Sequence, residues 1–279
     1  SRFSYIIIFL LSLFPLLKIL KKNKPDFIIV HLITSLPLFL LSFFKFETEF
    51  ILRISGYPRL NIFRKFFWKS ISKKIYRITF PTNDLISQFK LLNIFEEKKL
   101  YFLPDAILNI KNFLKNKKSD EIQNNKFSDK KYFIAVGRLT KQKNFTYLIN
   151  EFSEFFNHNK EFNLLIFGEG EERKVLNNLI KSKNLSNNVF LMGHSNNIYY
   201  HMKKASAFIL SSLWEEPGFV IIEAAICNLF IISSDCNNGP KEFLNNGLGG
   251  ILFNSNEKKA LSNKLLEFSK VSDYNKKII

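Results

Sequence analysis

Two spacings of apolar residues alternate along the chain. Short unbroken runs of branched and aromatic residues have strand length, and between them lie stretches whose apolar positions recur every three or four residues. In the second half the runs are "YFIAVG" (132–137), "FNLLIFG" (162–168), "NVFLMG" (188–193), "AFILSS" (207–212), "FIISS" (230–234) and "GGILFN" (249–254). The stretch "NFTYLINEFSEFF" places Phe145, Leu148, Ile149, Phe152 and Phe156 at helical spacing. Strands apolar on both faces and separated by helices predict a parallel sheet buried under helices on each side. Six such runs make a complete doubly wound domain.

The first half repeats the rhythm with "DFIIVHLI" after Pro25, "TEFILRISG" (48–56) and "YRITFPT" (76–82). Between Ile107 and Lys131 the periodicity is lost and Lys, Asn, Asp and Ser accumulate, which reads as an exposed connection. The expected organisation is a partial α/β domain at 1–110, a connection at 111–130 and a second α/β domain at 131–279. The opening "YIIIFLLSLFPLLKILKK" is apolar for only about a dozen residues and holds Pro15, whereas a spanning helix needs roughly 20. It is expected to form a buried or interfacial helix, and no small-residue cleavage site follows to make it a signal peptide. The chain opens on Ser rather than Met, so its true beginning is expected to precede Ser1.

Hydrophobic residues make up 46% and charged residues 23%, the balance of a folded globular chain. The formal charge of +17 points toward an anionic partner: nucleic acid, phosphorylated substrate or acidic lipid. Heavy use of Lys, Asn, Ile and Phe, with 32 Phe, is also what an AT-rich genome produces without selection on any surface, so charge alone names no partner. Cys227 and Cys236 fall in segments that read as buried helix and strand. They are expected to pack as small apolar residues in a reducing, cytoplasmic setting, with no disulfide framework.

In doubly wound sheets ligands bind beyond the carboxyl ends of the strands, so the residues that follow each run carry the candidate chemistry. After the first strand of the second half, "VGRLTKQKNF" sets Gly137, Arg138 and Lys143 ahead of a helix expected near Asn144, an arrangement suited to phosphate. "FGEGEER" offers Gly168 and Gly170 for close backbone approach, but it is not the dinucleotide fingerprint. "SSLWEEPGFVIIEAA" brings Glu215, Pro217, Gly218 and Glu223 together. Pro217 is expected to pre-set the first helical turn, with the amides of Gly218 and Phe219 facing a ligand and Glu223 about one and a half turns into the helix. An ionised Glu223 could accept two hydrogen bonds from vicinal hydroxyls. Taken singly, these loops also read as a basic surface turn and a capped helix.

In order, the set Gly-Arg, four residues, Lys; then Gly-Glu-Gly; then Glu, seven residues, Glu and Ala-Ala resembles the GT-B glycosyltransferases of family 4, retaining nucleotide-sugar enzymes. "KPDFIIVHL", "GPKEFL" (239–244) and "GLGGILF" (247–253) extend the resemblance through most of the chain. It implies two Rossmann-like doubly wound domains facing a cleft, the first incomplete because one strand and a glycine-rich loop would precede Ser1. It implies that Arg138 and Lys143 neutralise the donor diphosphate, that Glu223 binds the ribose hydroxyls and that Glu215 lies near the transferred sugar. Gly218, Phe219 and Val220 match the segment that meets phosphates or sugar, and Gly193 and His194 the region that brackets the base.

The same resemblance implies sugar transfer from a nucleotide-diphosphate donor to a glycan or lipid-linked acceptor in cell-surface polysaccharide or lipopolysaccharide synthesis. No cofactor is expected beyond the nucleotide sugar as co-substrate, and no metal, since the chain lacks Asp-x-Asp and clustered His and Cys ligands. One departure is "LRISGYP", where Ser55 stands at a position often held by histidine; His31 is the remaining candidate in this half, read as buried and satisfied, and Arg53 could add charge without a placed role. The stretch "NIFRKFFWKSISKKIYR" (61–77) reads as a basic helix suited to anionic membrane, placing the protein in the cytoplasm at the inner face of the cell membrane. Two alternatives stand beside this: an inactive nucleotide-binding paralogue or fragment, and a basic nucleic-acid binder, which no helix-turn-helix, zinc-finger or RNP signature supports.

Overall fold

The computed structural model describes residues 2–105 and 130–271. All but Lys130 of the expected connection 111–130 lies outside them. The chain divides into two compact units, Ser1–Asp105 and Ala106–Ile279.

The first unit runs α1 (Arg2–Lys18), β1 (Phe27–His31), α2 (Ser35–Phe43), β2 (Glu49–Arg53), α3 (Ile62–Ile71), β3 (Arg77–Phe80), α4 (Asn83–Leu92) and β4 (Leu100–Phe102). Its four strands pair in parallel in the order β1-β2-β3-β4. Side chains of Phe50, Leu52, Ile78 and Phe80 leave the sheet to meet Trp68 of α3 and Phe89 of α4 in one core. Strand β4 is not visible as a run in the sequence, because three residues flanked by Lys98 and Lys99 carry no pattern; pairing of Ile78 with Leu100 makes it a strand. Pro15 does not interrupt α1, as its residue type suggests it should. The carbonyl it leaves without an intrahelical donor is that of Leu11, a residue 72% exposed. Phe9, Leu13, Leu16 and Leu17 of this helix pack on the core, while Leu11 and Phe14 do not.

The second unit runs β5 (Lys131–Val136), α5 (Phe145–His158), β6 (Phe162–Phe167), α6 (Arg173–Ser182), β7 (Val189–Gly193), α7 (Ile198–Lys204), β8 (Ala207–Leu210), α8 (Val220–Ile226), β9 (Ile231–Ser234), α9 (Pro240–Phe243), β10 (Ile251–Phe253) and α10 (Ala260–Lys270). All six strands are parallel, in the order β10-β9-β8-β5-β6-β7. The two-residue period of a strand divides each run between two cores. Phe133 and Ala135 join one with Phe152, Phe155 and Leu265, while Tyr132 and Ile134 join the other with Met202, Phe208 and Ala224. That double burial is why the runs show no polar alternation. Glu151 of α5 is buried and accepts from the backbone N–H groups of Lys259 and Ser262, which caps α10 and pins it to α5.

Candidate active site

The strand order places β5 and β8 side by side, yet the chain leaves β5 for β6 on one side and β8 for β9 on the other. A crevice opens where the order reverses, beyond the carboxyl ends of those two strands. Two loops fill its rim, residues 137–144 and 211–219. Backbone and side chain stitch them together: Leu213 N–H donates to Gln142 O, Gln142 Nε2 to Trp214 O, and Ser211 Oγ to Lys143 O. The loops that must converge for a shared phosphate site therefore do so.

A cavity of about 300 Å³ lies between them, lined by Val136, Gly137, Arg138, Gln142 and Lys143 from one loop and by Glu215, Glu216, Gly218, Phe219, Val220 and Glu223 from the other. Its size falls at the small end for a small-molecule site. Arg138 is exposed at the rim, where it reaches Gln142 Oε1 at 3.4 Å. Lys143 is 12% exposed and pairs with Glu215 Oε1 at 2.6 Å; Glu215 is 3% exposed and also accepts from Ser212 Oγ at 2.5 Å. Ser212 is held in turn by Ser234 Oγ, which donates to its carbonyl. Buried charges need such partners, and here the carboxylate both neutralises the ammonium and fixes where it points. The aliphatic stem of Lys143 crosses Gly137 so closely that a Cβ there would lie 3.0 Å from Cε.

Glu223 stands across the cavity on α8, and Tyr199 Oη of α7 donates to its Oε1 at 3.3 Å. Burial pushes the Glu223 carboxyl above its ordinary range, and the tyrosine hydrogen bond draws it partly back. The Tyr199 hydroxyl is itself held above its usual value by burial and by the neighbouring carboxylate, so it remains a donor. Cys236, beside the Lys143–Glu215 pair, has its thiol pushed up to about 11, chiefly by burial.

Several positions differ from the sequence reading. Helix α8 begins at Val220, so Pro217 precedes it instead of forming its first turn, and Gly218 holds φ +84 in the loop. Glu223 is consequently in the first turn, not one and a half turns in. Gly168 and Gly170 serve chain against chain: a Cβ would lie 1.9 Å from Gly137 O at the first and 2.3 Å from Leu139 O at the second. These contacts press the β6 loop under the β5 loop and set the height of Arg138. Gly168, Gly193 and His194 are not among the residues lining the cavity. Gly168 N–H donates to Gly193 O, and His194 is exposed beyond β7.

In the first unit His31 is exposed, not buried, and its Nε2 is hydrogen-bonded to the Ser55 hydroxyl. Arg53 is buried, donates to Leu103 O at 2.6 Å and pairs with Asp105 at 2.8 Å, which ties down the chain as it leaves β4. Both cysteines are buried thiols outside any disulfide, Cys227 just past α8 and Cys236 past β9 instead of inside those elements. Sequence reasoning missed Gln142 and Tyr199. Gln142 could have been found as the residue next to Lys143 inside the spacer; Tyr199 lies on another helix and leaves no pattern.

Residues 116–279 match the family model for glycosyl transferases group 1. The chain is 32% identical over 251 residues to an uncharacterized glycosyltransferase of Methanocaldococcus jannaschii, covering 83% of this chain and 61% of that protein. It is 28% identical over 214 residues to N-acetylgalactosamine-N,N'-diacetylbacillosaminyl-diphospho-undecaprenol 4-alpha-N-acetylgalactosaminyltransferase of Campylobacter jejuni, covering 74% of this chain and 56% of that protein. The chain thus spans only about three fifths of the length of these two relatives. Among solved structures, Anabaena HepE in complex with UDP and glucose superposes with a TM-score of 0.71 at 14% identity, over 94% of this chain and 72% of that one. The fold is GT-B, built of two parallel-sheet α/β domains, and the chain belongs to the group 1 glycosyltransferases.

Proposed function

We propose that this chain handles the donor in a retaining glycosyltransferase that moves a sugar from a nucleotide diphosphate to a glycan or lipid-linked acceptor, in the making of cell-surface polysaccharide or lipopolysaccharide. One observation carries the reading: Arg138 and Lys143 from the loop after β5 share a cavity with Glu215 from the loop after β8 and Glu223 from helix α8. Cations at one side and a diol-binding carboxylate at the other fit the two ends of a ribose diphosphate.

In this reading the bond from the sugar to the diphosphate breaks, and negative charge grows on the departing phosphate oxygen. Arg138 and Lys143, fixed beforehand, stabilise that charge as it develops and take the part a divalent ion plays elsewhere. Glu215 orients Lys143 from beneath, and Glu223 accepts hydrogen bonds from the ribose hydroxyls. The relative from Campylobacter acts on a diphospho-undecaprenol and HepE holds UDP, which supports a nucleotide donor and a lipid-linked acceptor. In this reading the work takes place at the cytoplasmic side of the membrane. No described helix is long and apolar enough to cross a membrane.

Thermal shift tests the donor site. Millimolar nucleoside diphosphate is expected to raise the melting temperature, and oligonucleotides are not. The shift should vanish in Arg138→Ala and in Glu223→Ala; a parent chain indifferent to every nucleoside diphosphate would end the proposal.

A further inference from the structure

The residues 59–77 of the first unit contain seven Lys and Arg and no Asp or Glu. Three of the seven are engaged by neighbouring groups: Lys74 Nζ donates to the carbonyls of Leu41 and Ser42, the Arg77 guanidinium lies over Tyr76 and Tyr101, and Arg64 Nη1 donates to Arg59 O. The rest surround α3. That helix is anchored on one side by Trp68 and Ile71, both buried in the core. On the opposite side Ile62, Phe63 and Phe66 stand 83%, 84% and 76% exposed. At 100° per residue these three span one sector, and Lys65 and Lys69 run along its border one turn apart. Arg59 lies before the helix and Lys73 just beyond it, both exposed.

Bulky apolar side chains protruding as a ridge, ringed by cations with no acid among them, are costly to leave in water. A planar surface that offers anions at one depth and hydrocarbon just beneath matches both features at once. We propose that α3 docks this chain onto an anionic lipid bilayer, with Ile62, Phe63 and Phe66 entering the boundary between headgroups and acyl chains and Lys65, Lys69 and Lys73 meeting lipid phosphates. Because Trp68 and Ile71 hold the helix rigidly, no ordering is needed for the ridge to insert. Helix α1 also exposes Leu11 and Phe14, but its cations, Lys18 followed by Lys21, Lys22 and Lys24, gather past one end instead of running along the apolar ridge, which makes it the competing face.

Co-sedimentation decides between these faces. The chain is expected to pellet with equimolar phosphatidylglycerol–phosphatidylcholine vesicles at low salt and to bind phosphatidylcholine vesicles at least about tenfold more weakly. High salt should weaken the first interaction severalfold. Phe63→Ser with Phe66→Ser, and separately Lys65→Glu with Lys69→Glu, should each cost about tenfold or more. All four residues are exposed, so the melting temperature should stay at the parent value. No pelleting with the acidic vesicles at low salt overturns the proposal, as does parental binding by both α3 pairs. So does loss of binding in Leu11→Ser with Phe14→Ser while the α3 pairs retain it. The nucleotide-induced thermal shift is read in parallel, so failure here and failure of the donor site are told apart.

Discussion

Lys143 Nζ and Glu215 Oε1 lie 2.6 Å apart although the two residues are 72 positions apart in sequence. Removing one partner leaves the other charge nearly buried without compensation, at a cost of about 3–5 kcal/mol. Lys143→Ala and Glu215→Ala should each lower stability by that order in urea titration. Lys143→Met combined with Glu215→Leu should recover most of it, since an apolar pair of similar volume is often neutral. The double variant should nonetheless fail to turn over donor, which separates a charge needed for chemistry from one needed for folding.

Arg138 is exposed and makes only a long contact to Gln142, so the fold does not depend on it. Arg138→Ala should melt like the parent and lower turnover about a hundredfold, near 3 kcal/mol of barrier. Chelation should leave the parent rate unchanged if these cations carry the diphosphate charge. A rate that collapses in chelator and returns with magnesium would show that they do not.

If Glu223 holds the donor's ribose diol as proposed, donor binding should depend on pH. Hydrogen bonds from a diol favour the ionised carboxylate, so affinity should weaken as pH falls through a pKa that burial holds above the usual carboxylate range. Stability has the opposite sign. The folded group holds its proton more tightly than the unfolded one, so its contribution is full below the unfolded pKa and is lost as pH rises through the folded pKa. Glu223→Gln should flatten both profiles, measured by calorimetric titration and by melting.

Tyr199→Phe removes the donor that draws the Glu223 pKa down. The acid limb of donor binding should therefore move to higher pH, with KM raised severalfold and kcat kept. An unchanged limb would mean that Tyr199 acts only in packing.

Gly168 holds φ +137, and a Cβ would lie 1.9 Å from Gly137 O. Gly168→Ala should cost at least about 2 kcal/mol and also abolish the nucleotide-induced shift, because the chain it displaces carries Arg138.

The strand runs of the second unit were legible because both faces of its sheet are buried, which leaves unbroken apolar stretches such as "FNLLIF" at β6. Arg138, Lys143 and Glu223 could be brought together because their ordered set resembles the family's, and because both loops follow strands at the carboxyl edge of one sheet. Burial, by contrast, left no local sign. Glu215 reads like its exposed neighbour Glu216, and only tertiary packing puts the first beneath Lys143. The glycines of "FGEG" read as ligand contacts because the sequence cannot say whether the close neighbour is a ligand or another loop.

Adjacency of β5 and β8 gives the molecule a built-in order of events during synthesis. A nascent chain that has emerged only through β7 already exposes Arg138 and Lys143, but Glu215 and Glu223, which complete the cavity, are not yet in place. If the donor site is as proposed, capture of a ribonucleoside diphosphate would report that the central strand pairing has closed, a readout of maturation on the ribosome.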